Sequence, residues 1–267
     1  MRKLLLAVGV ILVVAGLALQ FFQPEDRAAE PVPVADEGSL RDTTAGPVIG
    51  AAGPLETFQW LGVPYAAAPE GPRRWRAPLP PEPWTSPREA LDHGAVCPQF
   101  ASVFGGTTDS TQGSLVGSED CLTLDIYAPR RDPAAPPLPV MFWMHGGGNT
   151  IGTGSTYDGS ALASEQQVVV VSINYRLGVL GWLSHAALRA GASGPAEASG
   201  NFSNLDMVLA LEWVRENIGA FGGDPEQVTV FGESAGGRNV FALLASPLAK
   251  GLFHGAIAQS GLAGTTT

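Results

Sequence analysis

Val228-Thr229-Val230-Phe231-Gly232-Glu233-Ser234-Ala235-Gly236-Gly237 is the stretch that decides the fold. Val228–Phe231 is a β-branched and aromatic run and reads as a buried strand ending at Gly232. Gly237–Leu244 reads as a helix. Between them Gly232-Glu233-Ser234-Ala235-Gly236 matches the pattern G-x-S-x-G. On a sharp strand-to-helix turn a serine hydroxyl stands exposed, and the flanking glycines allow the strained backbone and let neighbouring elements close in. The helix N-terminus adds N–H groups and positive dipole beside a developing oxyanion. Ser234 is therefore the candidate nucleophile.

Working outward, Val168–Ile173 is β-branched and unbroken, as expected of a strand covered on both faces. Leu138–Met144 is an apolar run after a proline-rich loop, and Ala256–Gln259 reads as a further strand. Leu205, Val208, Leu211, Val214 and Ile218 recur at spacings of three and four and predict a helix over 205–218, capped by Ser203 or Asn204. Gly222-Gly223-Asp224-Pro225 closes the segment after that helix. Buried strands alternating with helices predict an α/β fold with a mostly parallel sheet. Glu56–Pro64 and Leu122–Tyr127 read as shorter strands, a small antiparallel portion ahead of it.

The second chemical signal is His145-Gly146-Gly147-Gly148, at the end of the 138–144 strand. Consecutive glycines let backbone amides face an oxygen without obstruction. Acyl transfer needs two or three such donors for its tetrahedral intermediate, each worth roughly 10²–10³ in rate. A phosphate cradle is excluded because no Lys-Ser/Thr pair follows the glycines.

Composition bounds the rest. The chain has 267 residues, 45% hydrophobic and 15% charged, which suits a globular protein with a large core. A formal net charge of −10 disfavours nucleic acid and anionic membrane surfaces as partners. Arg2 and Lys3 precede an apolar run from Leu4 to Leu19, extended by Phe21 and Phe22. Residues 1–22 read as a signal peptide or as an uncleaved anchor tethering the protein through residues 4–22; a buried core helix fits the basic start less well. The protein is thus expected to be exported, secreted or periplasmic, or held at the membrane. In an exported protein Cys97 and Cys121, the two cysteines of the chain, form one disulfide. Residues 23–47, rich in Pro, Ala, Asp and Glu, have a linker composition, and the folded part is placed at 48–267.

In order along the chain, Leu61-Gly62-Val63-Pro64-Tyr65-Ala66, Glu119-Asp120-Cys121-Leu122, the His145 glycine run, Asn174-Tyr175-Arg176-Leu177-Gly178, Phe221-Gly222-Gly223-Asp224-Pro225, Phe231–Gly237 and Ser246-Pro247 through Gly261 resemble one family. It is that of the type B carboxylesterases, which includes the cholinesterases, within the α/β-hydrolase fold. The resemblance spans about Val48 to Gly261. It implies that Ser234 forms the acyl-enzyme on a small-molecule carboxylic ester. It implies Gly147, Gly148 and the Ala235 amide as oxyanion donors, and Cys97–Cys121 as the family's first disulfide. Arg74 with Glu119, and Arg176 with Asp206, resemble buried structural ion pairs. Glu233 sits beside the nucleophile without being the acid of the triad. No metal or organic cofactor is implied. The sequence departs from the pattern at Asn149, where an aromatic residue usually follows the glycines, and at Ser203 and Met207, which replace a glycine and a glutamine.

A serine nucleophile needs a base, normally a histidine oriented by an acid. His93, His145, His185 and His254 are the histidines present, and none fits the fold's order of Ser, then Asp or Glu, then His. By resemblance the acid and histidine follow the strand at which this sequence stops. The chain is therefore expected to be the N-terminal half of the esterase, with feeble activity and poor solubility alone. Two other readings remain: a non-catalytic binding protein on the same fold, which typically lacks the serine, or an inactive truncated product.

Overall fold

The computed structural model describes residues 32–263. The signal-or-anchor reading of residues 1–22 lies outside the described residues; among those described, no helix is long and apolar enough to cross a membrane.

Among the described residues the main sheet has seven strands. They are β1 (Ala51–Gly53), β2 (Thr57–Pro64), β3 (Thr123–Pro129), β4 (Leu138–Met144), β5 (Val169–Ile173), β6 (Gly223–Glu233) and β7 (Gly255–Gln259). Their spatial order is β7-β6-β4-β5-β3-β2-β1. Strands β7, β6, β4 and β5 pair in parallel, whereas β5–β3, β3–β2 and β2–β1 pair antiparallel. Parallel neighbours need crossover elements, and these cover the sheet.

The three main helices are α1 (Ser160–Gln166), α2 (Phe202–Asn217) and α3 (Ala235–Ala245). Period-two alternation on β5 shows how the layers form. Val169, Val171 and Ile173 join the large core with Val208, Leu211 and Val214 of α2. Val170 points the other way, onto Tyr127 and Ala163 of α1. All five residues of β5 are buried, which explains its unbroken apolar pattern. Each such Val or Leu contributes roughly 1.5–3 kcal/mol on burial.

Helix α2 starts at Phe202, three residues before the predicted helix. Ser203 does not cap it: its hydroxyl is buried and donates to the Arg176 carbonyl. Asn201 holds the cap position without a side-chain bond. The helix tightens into a 3-10 turn, Ile218–Phe221, and stops at Gly222 with φ 83°, a left-handed end that glycine accepts freely.

The linker assignment needs correction between residues 36 and 47. Ser39 is fully buried and its hydroxyl donates to the carbonyls of Asp36 and Gly50 at 2.6 and 2.8 Å. The Ser39 carbonyl accepts the Trp60 indole N–H at 2.7 Å, and the Thr44 N–H donates to Asn217 Oδ1 at 2.7 Å. Arg41–Asp42, Pro47–Ile49 and Arg88–Glu89 form a small sheet. A composition poor in large apolar residues is ordered here because its polar backbone finds distant partners, which local composition does not reveal.

Cys97 and Cys121 are joined in a disulfide. Arg176 and Asp206 pair in the interior, with side chains 3% and 0% exposed; Nε reaches Oδ2 at 2.8 Å and Nη2 reaches Oδ1 at 2.6 Å. Burial works against the Arg176 charge, but Asp206 outweighs it and the guanidinium pKa is raised. The pair ties the chain after β5 to the start of α2. Arg74 and Glu119 also meet in a two-pronged contact, but they are not buried as expected: their side chains are 40% and 20% exposed. They lie in loops over the surface, where water screens the pair.

Candidate active site

Ser234 stands between the end of β6 and the start of α3, with φ 54° and ψ −113°. An L-residue rarely adopts this conformation, and it persists only where the surroundings over-determine it. The Ser234 N–H donates to the Gln259 carbonyl of β7 at 2.9 Å, and its own carbonyl accepts the Arg238 N–H at 3.0 Å, starting the helix. Gly232 and Gly236 permit the turn by proximity. A Cβ on Gly232 would lie 2.7 Å from the Met144 carbonyl oxygen, and one on Gly236 2.0 Å from that oxygen. The end of β4 and the elbow are thus pressed together backbone to backbone.

This contact carries the glycine run to the serine. A Cβ on Gly146 would lie 3.3 Å from Ser234 Cβ. Gly147 has φ 92° and Gly148 φ 65°. The Gly147 carbonyl accepts the N–H groups of Thr150 and Ile151, both at 3.1 Å. The N–H groups of Gly147, Gly148 and Ala235 have no acceptor among the described residues. Ser234 is half-buried and opens, with Glu233, Gly146, Gly147, Tyr157 and Phe104, onto a cavity of about 240 Å³. Gly148 lines a neighbouring cavity of about 700 Å³ with Asn149, Arg238 and Asn239. Ser234 and Gly147 therefore share one cavity, and Gly148 lines the adjoining one. The dipole of α3, an 11-residue helix, has its positive end at Ser234.

Further residues surround the site. The Tyr175 hydroxyl donates to the His145 carbonyl at 2.6 Å, and its ring stacks on His145 at 4.4 Å. Asn149 and Asn239 exchange amide hydrogen bonds of 3.3 and 3.0 Å. Tyr157 and Phe104 reach the cavity from loops. No fixed spacing links them to the elbow, so only the fold could find them.

Of the histidines, His145 alone lines the Ser234 cavity among the described residues. His93 Nδ1 lies 2.8 Å from Asp125 Oδ2. His185 caps a short helix through Nδ1, and His254 accepts the Val228 N–H. His145 is buried, and desolvation lowers its pKa to about 4; its ring is neutral at pH 7, with Nδ1–H donating to the Gly146 carbonyl at 2.8 Å. Among the described residues, no group of three or more His, Cys, Asp or Glu side chains is placed to hold a metal ion.

The carboxylesterase family model matches residues 37–267. The chain belongs to the carboxylesterase family. Human cocaine esterase is 46% identical over 235 residues, which are 84% of this chain and 40% of that protein. Para-nitrobenzyl esterase of Bacillus subtilis is 47% identical over 212 residues, 78% of this chain and 41% of that one. Among solved structures, a thermophilic para-nitrobenzyl esterase superposes with a TM-score of 0.76 at 44% identity, covering 86% of this chain and 45% of that chain. The carboxylesterase of Geobacillus stearothermophilus gives 0.70 at 43% identity, covering 82% and 43%. The sheet, helices and elbow of this carboxylesterase chain are those of the α/β-hydrolase fold. The chain spans about two fifths of the length of the curated relatives it matches.

Proposed function

We propose that this chain carries the acyl-transfer centre of a serine carboxylesterase acting on small-molecule carboxylic esters. Ser234 Oγ attacks the acyl carbon; the resulting oxyanion accepts N–H groups of Gly147, Gly148 and Ala235; the alcohol leaves; and water releases the acid. One observation carries the reading: a serine in left-handed backbone geometry, at a helix N-terminus, shares a cavity with a glycine whose amide is free. Preorganised donors of this kind act at the point where charge develops.

The general base is assigned to none of the four histidines: His93, His185 and His254 do not line the Ser234 cavity, and desolvation lowers the His145 pKa to about 4, which makes it a weak base. Turnover by this chain alone is therefore expected to be limited to what oxyanion donors and binding supply. Export is supported by the Cys97–Cys121 bond, which persists in oxidising compartments. Residues 37–267 are proposed as the esterase portion.

The test is covalent labelling of the chain with a fluorophosphonate, followed by peptide mass spectrometry. The expected adduct sits on Ser234, forms slowly and is absent from Ser234→Ala. Saturating probe that leaves Ser234 unmodified, or labels the Ala variant equally, overturns the reading.

A further inference from the structure

At the end of the sheet away from Ser234, loops 129–135 and 219–222 enclose a cavity of about 270 Å³. Gly222 precedes β6 and Ser234 follows it, so the 11 residues of that strand separate the two places by roughly 30 Å. A buried aromatic cluster lies beneath the cavity. Trp60 and Phe221 meet edge to face at 4.8 Å, and Phe58 lies 5.9 Å from Trp60. The cavity rim carries two guanidinium groups, Arg41 and Arg131.

Four arginines are matched by acids, Arg74 with Glu119, Arg76 with Glu197, Arg130 with Asp36, and Arg176 with Asp206, and Arg73, Arg88, Arg189, Arg215 and Arg238, which have no acid partner, are exposed to water. Among the described residues Arg41 and Arg131 pair with no carboxylate. Arg41 lies 5.2 Å over the Trp60 ring and donates Nη1 to the carbonyls of Gly38 and Leu40. Arg41 is half-buried, and that burial lowers its pKa. Arg131 donates Nη2 to the Pro136 carbonyl, and its Nη1 is shielded from solvent with no acceptor among the described residues. The one acid on the rim, Asp132, is exposed, and its Oδ1 accepts the Ala134 N–H at 2.9 Å. A desolvated cation without a counter-charge is unfavourable, and a planar guanidinium fork matches a carboxylate.

We propose that this cavity binds a small aromatic carboxylate, its anion on Arg41 and Arg131 and its ring toward Phe58 and Phe221. The site is separate from the esterase centre and does not depend on it.

The experiment is a titration of the isotopically labelled chain with sodium benzoate, followed by amide NMR shifts. Expected are saturable shifts at Gly219, Ala220 and Gly222, with a dissociation constant of about 1 mM or tighter. Benzyl alcohol, of the same shape but neutral, leaves them unmoved. Arg131→Gln weakens binding about tenfold, while Ser234→Ala binds as the parent does. Non-saturating shifts, shifts centred on Gly146 and Gly147, equal binding of benzyl alcohol, or unchanged affinity in Arg131→Gln overturns the proposal. Should Arg131→Gln fail to fold, Arg41→Lys replaces it, since it keeps the charge and removes the fork; the same loss is expected. Labelling of Ser234 is unaffected by any of these outcomes, so the two readings fail independently.

Discussion

Single residues here are held in place by their backbone surroundings more than by their own preferences. Ser234 at φ 54° and Asn149 at φ 60° occupy a region that costs about 1–3 kcal/mol for an L-residue. Ser234 lines the smaller cavity and Asn149 the adjoining one, so the strain lies where the chemistry is proposed. His93 is a different case. Its hydrogen bond to Asp125 raises its pKa, and burial opposes that rise; Asp158 and Asp92 add to it. Asp125 is buried and also accepts the Gly62 N–H at 2.8 Å. Because the folded value lies above the unfolded one, the stabilisation is fully present below about pH 6.5 and is lost as pH rises through the folded pKa. The melting temperature of the parent chain should therefore fall between about pH 6 and pH 9, relative to His93→Gln. Parallel pH profiles for the two would remove His93 from the account. Nothing in the local sequence marks this pair, since Asp125 lies on β3 and His93 in a loop.

At the scale of elements, the strand–elbow–helix unit depends on two backbones touching. Gly236→Ala places a methyl 2.0 Å from the Met144 carbonyl oxygen and 2.8 Å from that of His145. Neither is a flexible side-chain end, so β4 and α3 must separate. The variant should lose at least about 1–3 kcal/mol in denaturant unfolding, and Ser234 labelling should slow further. Unchanged stability would mean that the elbow is looser than this packing. Element boundaries differ in how legible they are. The apolar run Leu138–Met144 coincides with β4 because most of that strand is buried. Strand β6 begins five residues before Val228, since Gly223 pairs with Leu138 across an irregularity in the ladder. Helix α1 leaves no readable signal: its seven residues are too few for a 3.6-residue period to stand out.

Across the molecule, the Cys97–Cys121 bond closes the segment that brings Phe104 to the Ser234 cavity. Phe104 is 94% exposed, so the loop is held by its ends and not by burial of that ring. With a sequence separation of 24, the chain-entropy model gives about 3–4 kcal/mol for the cross-link. Reduction with a thiol should lower the melting temperature accordingly and slow labelling of Ser234. An unchanged melt after complete reduction would show that the loop is held by other contacts. Arg176 and Asp206 act at the same scale, joining β5 to α2 across 30 positions of sequence. Residues 36–47 do so too, reaching Trp60 across 21 positions and Asn217 across 173.

The amino-acid sequence by itself determined the fold class, the elbow and the glycine run, because each rests on local rules: burial on two faces, strained turns that demand glycine, amides that need bare neighbours. Tertiary structure alone decided that Gly147 shares the Ser234 cavity, that Gly148 lines the adjoining one, and that Arg74 and Glu119 lie near the surface. It alone ordered residues 36–47, laid Arg41 over Trp60 and brought Arg131 to the same cavity. These are relations between positions tens to more than a hundred residues apart. Their energies depend on distance and solvent access, which a linear pattern does not contain.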